Sequence, residues 1–173
     1  YNLHLLTAKP IMFIGNVDEE GLTHGNNHIK ILEELAVHRG AIVLVVDGEM
    51  EAEVADMSYQ EREAFLADLG IKESGLDKVI KEGYRLLTLI TFFTHNEKEL
   101  RAWTVKKGTK APLAAGKIHS DFEKGFIKAE VVTIKDLVAT GSEAVLREKG
   151  LLHIHGKDYE IVDGDVVFFR FNV

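Results

Sequence analysis

Two unbroken apolar runs, Pro10 to Gly15 (PIMFIG) and Ala41 to Val46 (AIVLVV), frame a stretch whose apolar residues recur at helical spacing. Runs without polar alternation predict strands covered on both faces in a parallel sheet. Between them, Ile29, Leu32 and Ala36 share one face of a helix predicted from about His28 to Arg39, with Asn26 or Asn27 as its cap and Gly40 as its stop. The residues NVDEEGLTHGNN, Asn16 to Asn27, read as a polar loop. Strand, helix, strand at this length is half of a doubly wound α/β domain, and such sheets bind ligands beyond the carboxyl ends of their strands. The loops opening at Asn16 and Asp47 are therefore where chemistry is expected first.

Ser58-Tyr59-Gln60-Glu61 is a capping-box pattern opening a helix that Gly70 closes, with Phe65, Leu66 and Leu69 on its apolar face. Ser74 with Asp77 opens another, carrying Leu76, Val79, Ile80, Tyr84 and Leu87 at helical spacing. From Leu89 the pattern changes to alternation. LITFF and LRAWTV predict a hairpin joined through Thr94 to Glu99, with Trp103 and Val105 on one face and Ala102 and Thr104 on the other. Gly108 breaks that strand, Pro112 suits the first turn of a helix striped by Ala115, Ile118 and Phe122, and Gly125 ends it before Phe126, Ile127, Ala129 and Val131 resume an extended run. Two short helices at Ile134–Ala139 and Ser142–Lys149 follow, Ser142 serving as a cap. Short strands are predicted at Leu151–His155, Tyr159–Val162 and Val166–Phe171, with Asp163-Gly164 as a hairpin turn. The boundary between two domains falls at about Leu87 to Thr88, giving 1–88 and 89–173, and no Pro/Gly/Ser linker marks it.

Charge sharpens that division. Residues 1–88 carry 8 Lys/Arg against 16 Asp/Glu, whereas 89–173 carry 13 against 12. Within the second half, Lys106, Lys107, Lys110, Lys117, Lys124 and Lys128 stand against only Asp121 and Glu123, a local excess that suits a polyanion, although on charge alone an ordinary solvated face is the commoner meaning of surface lysines. The 173 residues contain no Cys, which removes disulfides, thiolate metal sites and cysteine nucleophiles. The longest apolar runs fall far short of the ~20 residues of a membrane helix. The opening Tyr1 and NLHLLTAKP read as the tail of a helix running into a strand, hence as part of a longer protein.

Several apparent motifs carry little. His153-x-His155 puts two imidazoles on one face of a strand without a third ligand; Asp163-Gly164-Asp165 has no EF-hand spacing; His119 and Asp121 have no serine nucleophile with them and read as polar residues of a helix. No G-x-x-x-x-G-K-[ST] occurs, since Gly116-Lys117 is followed by Ile118 and has no upstream Gly at the required spacing. No catalytic or metal-ligating residue is assigned.

The segment ELRAWTVKKGTKAPLAAGKIHSDFEKGFIKAEV, with GKDYEIVDGDVVFFRFNV at the end of the sequence, closely resembles the TGS domain that closes the Obg-like ATPases of the YchF family. The resemblance implies an α/β chain: the last part of a P-loop NTPase G domain with a parallel sheet, then an α+β, ubiquitin-like β-grasp TGS domain. It further implies a cytoplasmic, ribosome-associated ATPase using ATP and Mg²⁺, with the Mg²⁺ ligands and the P-loop outside this chain. Its partners would be the ribosome, through the large or small subunit, and rRNA, with no membrane or DNA role. Asn16 and Glu19 match the family's Asn-x-x-Glu base-reading motif, where ordinary GTPases have Asn-Lys-x-Asp, and Val17 is placed against the base plane. Exchanging that Asp weakens guanine preference, because a carboxylate accepts two N–H bonds from guanine's edge and adenine offers no matching pair; GTP remains the alternative to ATP. Read without the resemblance, Asn16 and Asp18 simply turn the chain. Gly48 and Met50 of the second loop are further base-site candidates, although Asp47 and Glu49 replace the small residues usual there; Glu49, Glu51 and Glu53 also suit a helix N-terminus on electrostatic grounds alone. Lys106, Lys107, Lys110, Lys117 and Lys124 are the expected ribosome or RNA contacts. Two other classes remain as comparisons: a free-standing RNA- or ribosome-binding module without nucleotide activity, and a ubiquitin-like carrier, which the ending Phe171-Asn172-Val173 without Gly-Gly disfavours.

Overall fold

The structure, a computed structural model, describes residues 5–96 and 99–172. Tyr1 in the expected helix tail, Glu97 and Lys98 in the expected hairpin loop, and Val173 lie outside them. The chain forms two compact units, one ending at Leu87 and one beginning at Thr88. It is α/β, and one of its sheets is mixed.

In the first unit, β1 (Met12–Asn16) and β2 (Ile42–Val46) pair in parallel from Met12↔Ile42 to Asn16↔Val46. Between them lie α1 (Glu19–His24) and α2 (Asn27–Arg39), and after them α3 (Gly48–Ala55), α4 (Tyr59–Asp68) and α5 (Gly75–Leu86). Asn26 caps α2 by accepting from Ile29 N at 2.9 Å, and Gly40 ends it at φ 59°, a left-handed conformation that glycine adopts without a Cβ clash. Ser58 and Glu61 complete the capping box of α4. Met50, Val54 and Leu66 form the buried cluster between α3 and α4.

Two expectations change here. The stretch after Asn16 is not all loop, because Asp18 accepts from Gly21 N at 2.8 Å and so starts α1. Nor are the strands covered on both faces: Ile14 is 49% exposed, since among the described residues β1 and β2 have only each other as sheet partners. Near the start of the chain, Leu6–Ala8 is a 3-10 turn and Lys9 is already extended.

The second unit holds β3 (Leu89–His95), β4 (Leu100–Lys106), α6 (Ala111–Ile118), α7 (Ser120–Lys124), β5 (Phe126–Thr133), α8 (Ile134–Thr140), α9 (Glu143–Glu148), β6 (His153–His155) and β7 (Asp165–Phe171). The sheet order is β4-β3-β7-β5-β6, with β7 parallel to β3 and antiparallel to β5. Alternation along the strands divides the core in two. On one face Phe92, Val105, Ala129 and Val131 pack with Ala111, Ala114 and Ala115 of α6; on the other, Val132, Val166 and Phe168 pack with Leu137 and Leu146 of α8 and α9. Trp103 on β4 joins the first face and donates through Nε1 to Thr94 at 2.9 Å.

The helix expected from Pro112 to Gly125 is two helices. His119 is extended at φ −159°, ψ 143°, and its Nδ1 accepts from Asp121 N at 3.2 Å, so it caps α7 instead of lying on a continuous polar face. The strand expected at Tyr159–Val162 is a single bridge, Lys110↔Glu160. Its backbone pairs with the segment before α6, through Ala111 N to Tyr159 O at 2.8 Å and Ile161 N to Thr109 O at 3.0 Å. Asp163-Gly164 accordingly does not join two ladder strands. Asp163 accepts from Thr91 N at 2.8 Å and Gly164 N donates to Thr91 O at 2.9 Å, seating β7 beside β3. Ser142 stands at the start of α9 without a side-chain cap bond.

Candidate functional site

The parallel register brings Asn16 and Val46 level at the carboxyl ends of β1 and β2, and Val17 N donates to Val46 O at 2.9 Å. One residue further on, Gly48 N donates to Asn16 Oδ1 at 2.9 Å, tying the first loop to the second across 32 residues. A Cβ at position 48 would stand 3.0 Å from that oxygen, so glycine allows the approach. With Oδ1 turned to Gly48, the amide Nδ2 supplies two donors for another partner. Val17 is half-buried against Gly21, where an added Cβ would lie 2.9 Å from Val17 Cβ.

Asp47 is 7% exposed and accepts from Glu49 N at 3.0 Å and Met50 N at 3.2 Å, which starts α3 directly after β2. Two hollows open beside it. One, of about 390 Å³, is lined by residues including Val46, Asp47, Met50, Glu51, Gly75 and Lys78. The other, of about 440 Å³, is lined by Asp18, Glu19, Asp47, Glu49, Met50, Glu53, Phe65 and Leu69. Of the sequence candidates, Asn16 and Gly48 are thus joined by a hydrogen bond, and Glu19 and Met50 share the second hollow. Met50 is at the same time 8% exposed and packed with Val54 and Leu66, so most of its side chain belongs to the core. Glu51, expected only to favour a helix start, instead accepts from Gly75 N and, at 3.1 Å, from Leu76 N, holding the start of α5. No local pattern signals that link, which spans 24 residues.

In the second unit the five candidate lysines are exposed and spread over several elements. Lys106 ends β4, Lys107 follows it, Lys110 precedes α6, Lys117 is on α6 and Lys124 ends α7. Lys110 Nζ donates to Asp158 at 2.8 Å, which raises the lysine pKa and lowers the aspartate's. His153 and His155 have ring centroids 6.5 Å apart, and His155 stacks on Tyr159 at 3.9 Å. Tyr159 donates to the buried Asp165 at 2.8 Å; burial, then that hydrogen bond, push its hydroxyl pKa well above the usual range. No group of three or more His, Cys, Asp or Glu among the described residues is arranged to hold a metal ion, and no helix among them is long and apolar enough to cross a membrane.

A further charged group escaped the sequence reading. Glu130, with a side chain 4% exposed, accepts from Arg147 at 2.6 Å and Arg170 at 2.9 Å and pairs with Lys128 at 2.9 Å. Burial raises its pKa, but the hydrogen bonds from Arg170, Lys128 and Arg147 outweigh burial and lower it to about 2.

Residues 89–172 match the family model YchF-GTPase_C, described as "Protein of unknown function (DUF933)". The chain is 50% identical over 173 residues to "Ribosome-binding ATPase YchF" of Bacillus subtilis (strain 168), covering 99% of this chain and 47% of that protein. It is 45% identical over 175 residues to "Obg-like ATPase 1" of Gallus gallus, covering 99% of this chain and 44% of that protein. The solved "Structure of the Schizosaccharomyces pombe YchF GTPase" superposes with a TM-score of 0.86 at 34% identity, over 98% of this chain and 45% of that one. The chain therefore spans about half the length of the relatives it matches. With nearly its whole length matched by these proteins and their C-terminal domain recognised over residues 89–172, it belongs to the YchF family of Obg-like ATPases and corresponds to the C-terminal half of its members.

Proposed function

We propose that this chain supplies base recognition and ribosome contact to a ribosome-associated P-loop ATPase of the cytoplasm. In this reading residues 1–88 are the last part of the nucleotide-binding domain and residues 89–173 are a TGS domain of the β-grasp fold. The order β4-β3-β7-β5-β6, with parallel strands at its centre and α6 across one face, supports the second assignment. The names of the ribosome-binding and Obg-like ATPase relatives support the activity.

The observation that carries the nucleotide reading is the Asn16–Gly48 hydrogen bond at the carboxyl ends of two parallel strands. It fixes the Asn16 amide so that Nδ2 donates to a base nitrogen, while Val17 flanks the ring and Glu19 accepts from an exocyclic amino group. The neighbouring hollow is lined by five carboxylates, from Asp18, Glu19, Asp47, Glu49 and Glu53. Such a surface accepts hydrogen bonds from a donor-bearing base edge and repels phosphates. The residues present therefore fit the base of ATP and not its triphosphate, and since no group of carboxylates among the described residues is arranged to hold a metal ion, the P-loop and switch residues of the intact protein would hold the phosphates and Mg²⁺ for hydrolysis. The Mg²⁺, where bound, neutralises charge on the phosphates. Ribosome and rRNA contacts are assigned to Lys106, Lys107, Lys110, Lys117 and Lys124.

Two measurements test this. The mass of the natural protein comes first: one near twice the 19.3 kDa of this chain leaves room for the phosphate-binding half, and one near 19.3 kDa leaves a free-standing ribosome- or RNA-binding module. In the longer protein, Asn16→Ala is expected to weaken ATP binding about tenfold, the loss of roughly one charge-free hydrogen bond plus the freed Gly48 N–H. Glu19→Asp is expected to move preference toward GTP. Fluorescence titration with labelled ATP and GTP reads both, and unchanged affinities in the two variants remove these residues from the base site.

A further inference from the structure

The alternation that buries Ala129 and Val131 under α6 turns Glu130 to the opposite face of the sheet, where Val132 and Phe168 meet α8 and α9. A carboxylate there is a poor choice for stability alone, because desolvation consumes much of what its ion pairs return and an apolar side chain of similar size serves as well. Its effect is geometric. Glu130 Oε2 accepts from Arg147 Nη2 at 2.6 Å and from Arg170 Nη2 at 2.9 Å and Nε at 3.2 Å, so one oxygen holds two guanidiniums from different elements side by side. The arginine side chains remain 46% and 45% exposed, and Lys128 stands on the other carboxylate oxygen with 38% exposure. Glu143 is the only other carboxylate among the described ion pairs of this group, at 2.8 Å from Arg147 and 3.5 Å from Arg170, which leaves the group with one excess positive charge.

A guanidinium has five N–H donors in a planar fork, and the bonds to Glu130 and Glu143 engage Nε and Nη2 while Nη1 of each arginine enters none of the described bonds. Adjacent forks with donors to spare suit the oxygens of a phosphodiester. We infer that Arg147 and Arg170, positioned by Glu130, bind the phosphate backbone of RNA on the face of the sheet that carries α8 and α9, across the sheet from α6. This rests on the ribosome-contact reading above and adds to it a second surface, formed by arginines and separate from Lys106, Lys107, Lys110, Lys117 and Lys124.

The test uses the full chain, a short fluorescein-labelled single-stranded RNA and purified ribosomes, with thermal melting to verify that each variant is folded. Replacing both arginines (Arg147→Gln with Arg170→Gln) is expected to weaken RNA binding by about tenfold or more. The slope of log affinity against log salt should become shallower by about 1.4, the share of two single-strand phosphate contacts. Glu143→Gln should tighten binding, and the double lysine variant (Arg147→Lys with Arg170→Lys), which keeps charge but not the fork, should fall between wild type and the glutamine pair. If the glutamine pair matches wild type in affinity and salt slope, the network is structural only and the inference falls. If Lys106→Glu with Lys107→Glu abolishes ribosome co-sedimentation while the glutamine pair leaves it unchanged, the ribosome reading stands without this surface. Wild type that retains polyglutamate but not RNA points to an acidic protein partner and overturns the assignment to RNA, and wild type that binds neither RNA nor ribosomes ends both readings.

Discussion

Alanine at Gly125 is expected to destabilise the second unit by about 3 kcal/mol, the upper end for an overpacked site. The backbone at Gly125 has φ −88° and ψ 7°, which any residue adopts, so the effect does not come from conformational freedom. It comes from proximity. A Cβ there would overlap the carbonyl oxygen of Asn172 and stand 2.9 Å from its carbon and 3.2 Å from its nitrogen, all main-chain atoms that no rotamer change can move. Asn172 N donates to Gly125 O at 2.9 Å, and the β5–β7 ladder opens next to it at Phe126↔Phe171. Relief requires the end of β7 to peel away, and that separates Phe122 from Phe171, stacked at 3.7 Å. Gly116→Ala is the matched control. There the added Cβ meets the carboxylate end of Glu123, which can swing aside, and stands 3.2 Å from Glu123 Cβ, a contact relieved by a shift of a few tenths of an ångström, while alanine is favoured over glycine inside a helix by up to about 1 kcal/mol. Urea unfolding of the two variants followed through Trp103 should place them on opposite sides of wild type or nearly so. Equal midpoints would mean that the β7 end yields without cost.

Gly125 also shows how far the sequence could be read. Its role as an end signal for the helix before β5 is local, as are the capping box at Ser58, the Asn26 cap and the Gly40 stop, and each sits where periodicity and cap chemistry place it. What escapes is long-range or three-dimensional. The stripe Ala115, Ile118, Phe122 has helical spacing across His119, yet a histidine whose ring can cap the next turn allows a break that spacing alone does not reveal. Tyr159–Val162 has strand composition, but its backbone hydrogen bonds go to the segment around the start of α6, through Ala111 N to Tyr159 O and Ile161 N to Thr109 O, far away in sequence. At the candidate base site, Asn16 and Glu19 were legible through a motif, whereas the Gly48 N–H that orients Asn16 and the Glu51 bond to α5 depend on the parallel register. Glu130 is the hardest case: a charged residue in a strand normally predicts a solvent-facing position, and only three cations from β5, α9 and β7 make its burial tolerable.

That tolerance makes Glu130→Ala the second large effect expected. Removing one partner of a buried pair commonly costs about 3–5 kcal/mol, but here Arg147 and Arg170 are nearly half exposed and can turn to water, so about 2–3 kcal/mol is expected at neutral pH. The pH dependence identifies the cause. In the folded chain the Glu130 carboxyl is held at about 2, below its ordinary 4.5, so the unfolded chain binds the proton first as pH falls. The stabilisation is therefore complete above about pH 4.5 and is lost as pH drops through the window down to about 2. The gap between wild type and Glu130→Ala should narrow steadily across that window, while above it the gap should stay constant. Melting temperatures of the two proteins from pH 7 to pH 2 would measure this. A gap that persists unchanged at pH 2 would show that packing, and not the charge of Glu130, accounts for the loss, and would leave the arginine pair without its positioning residue.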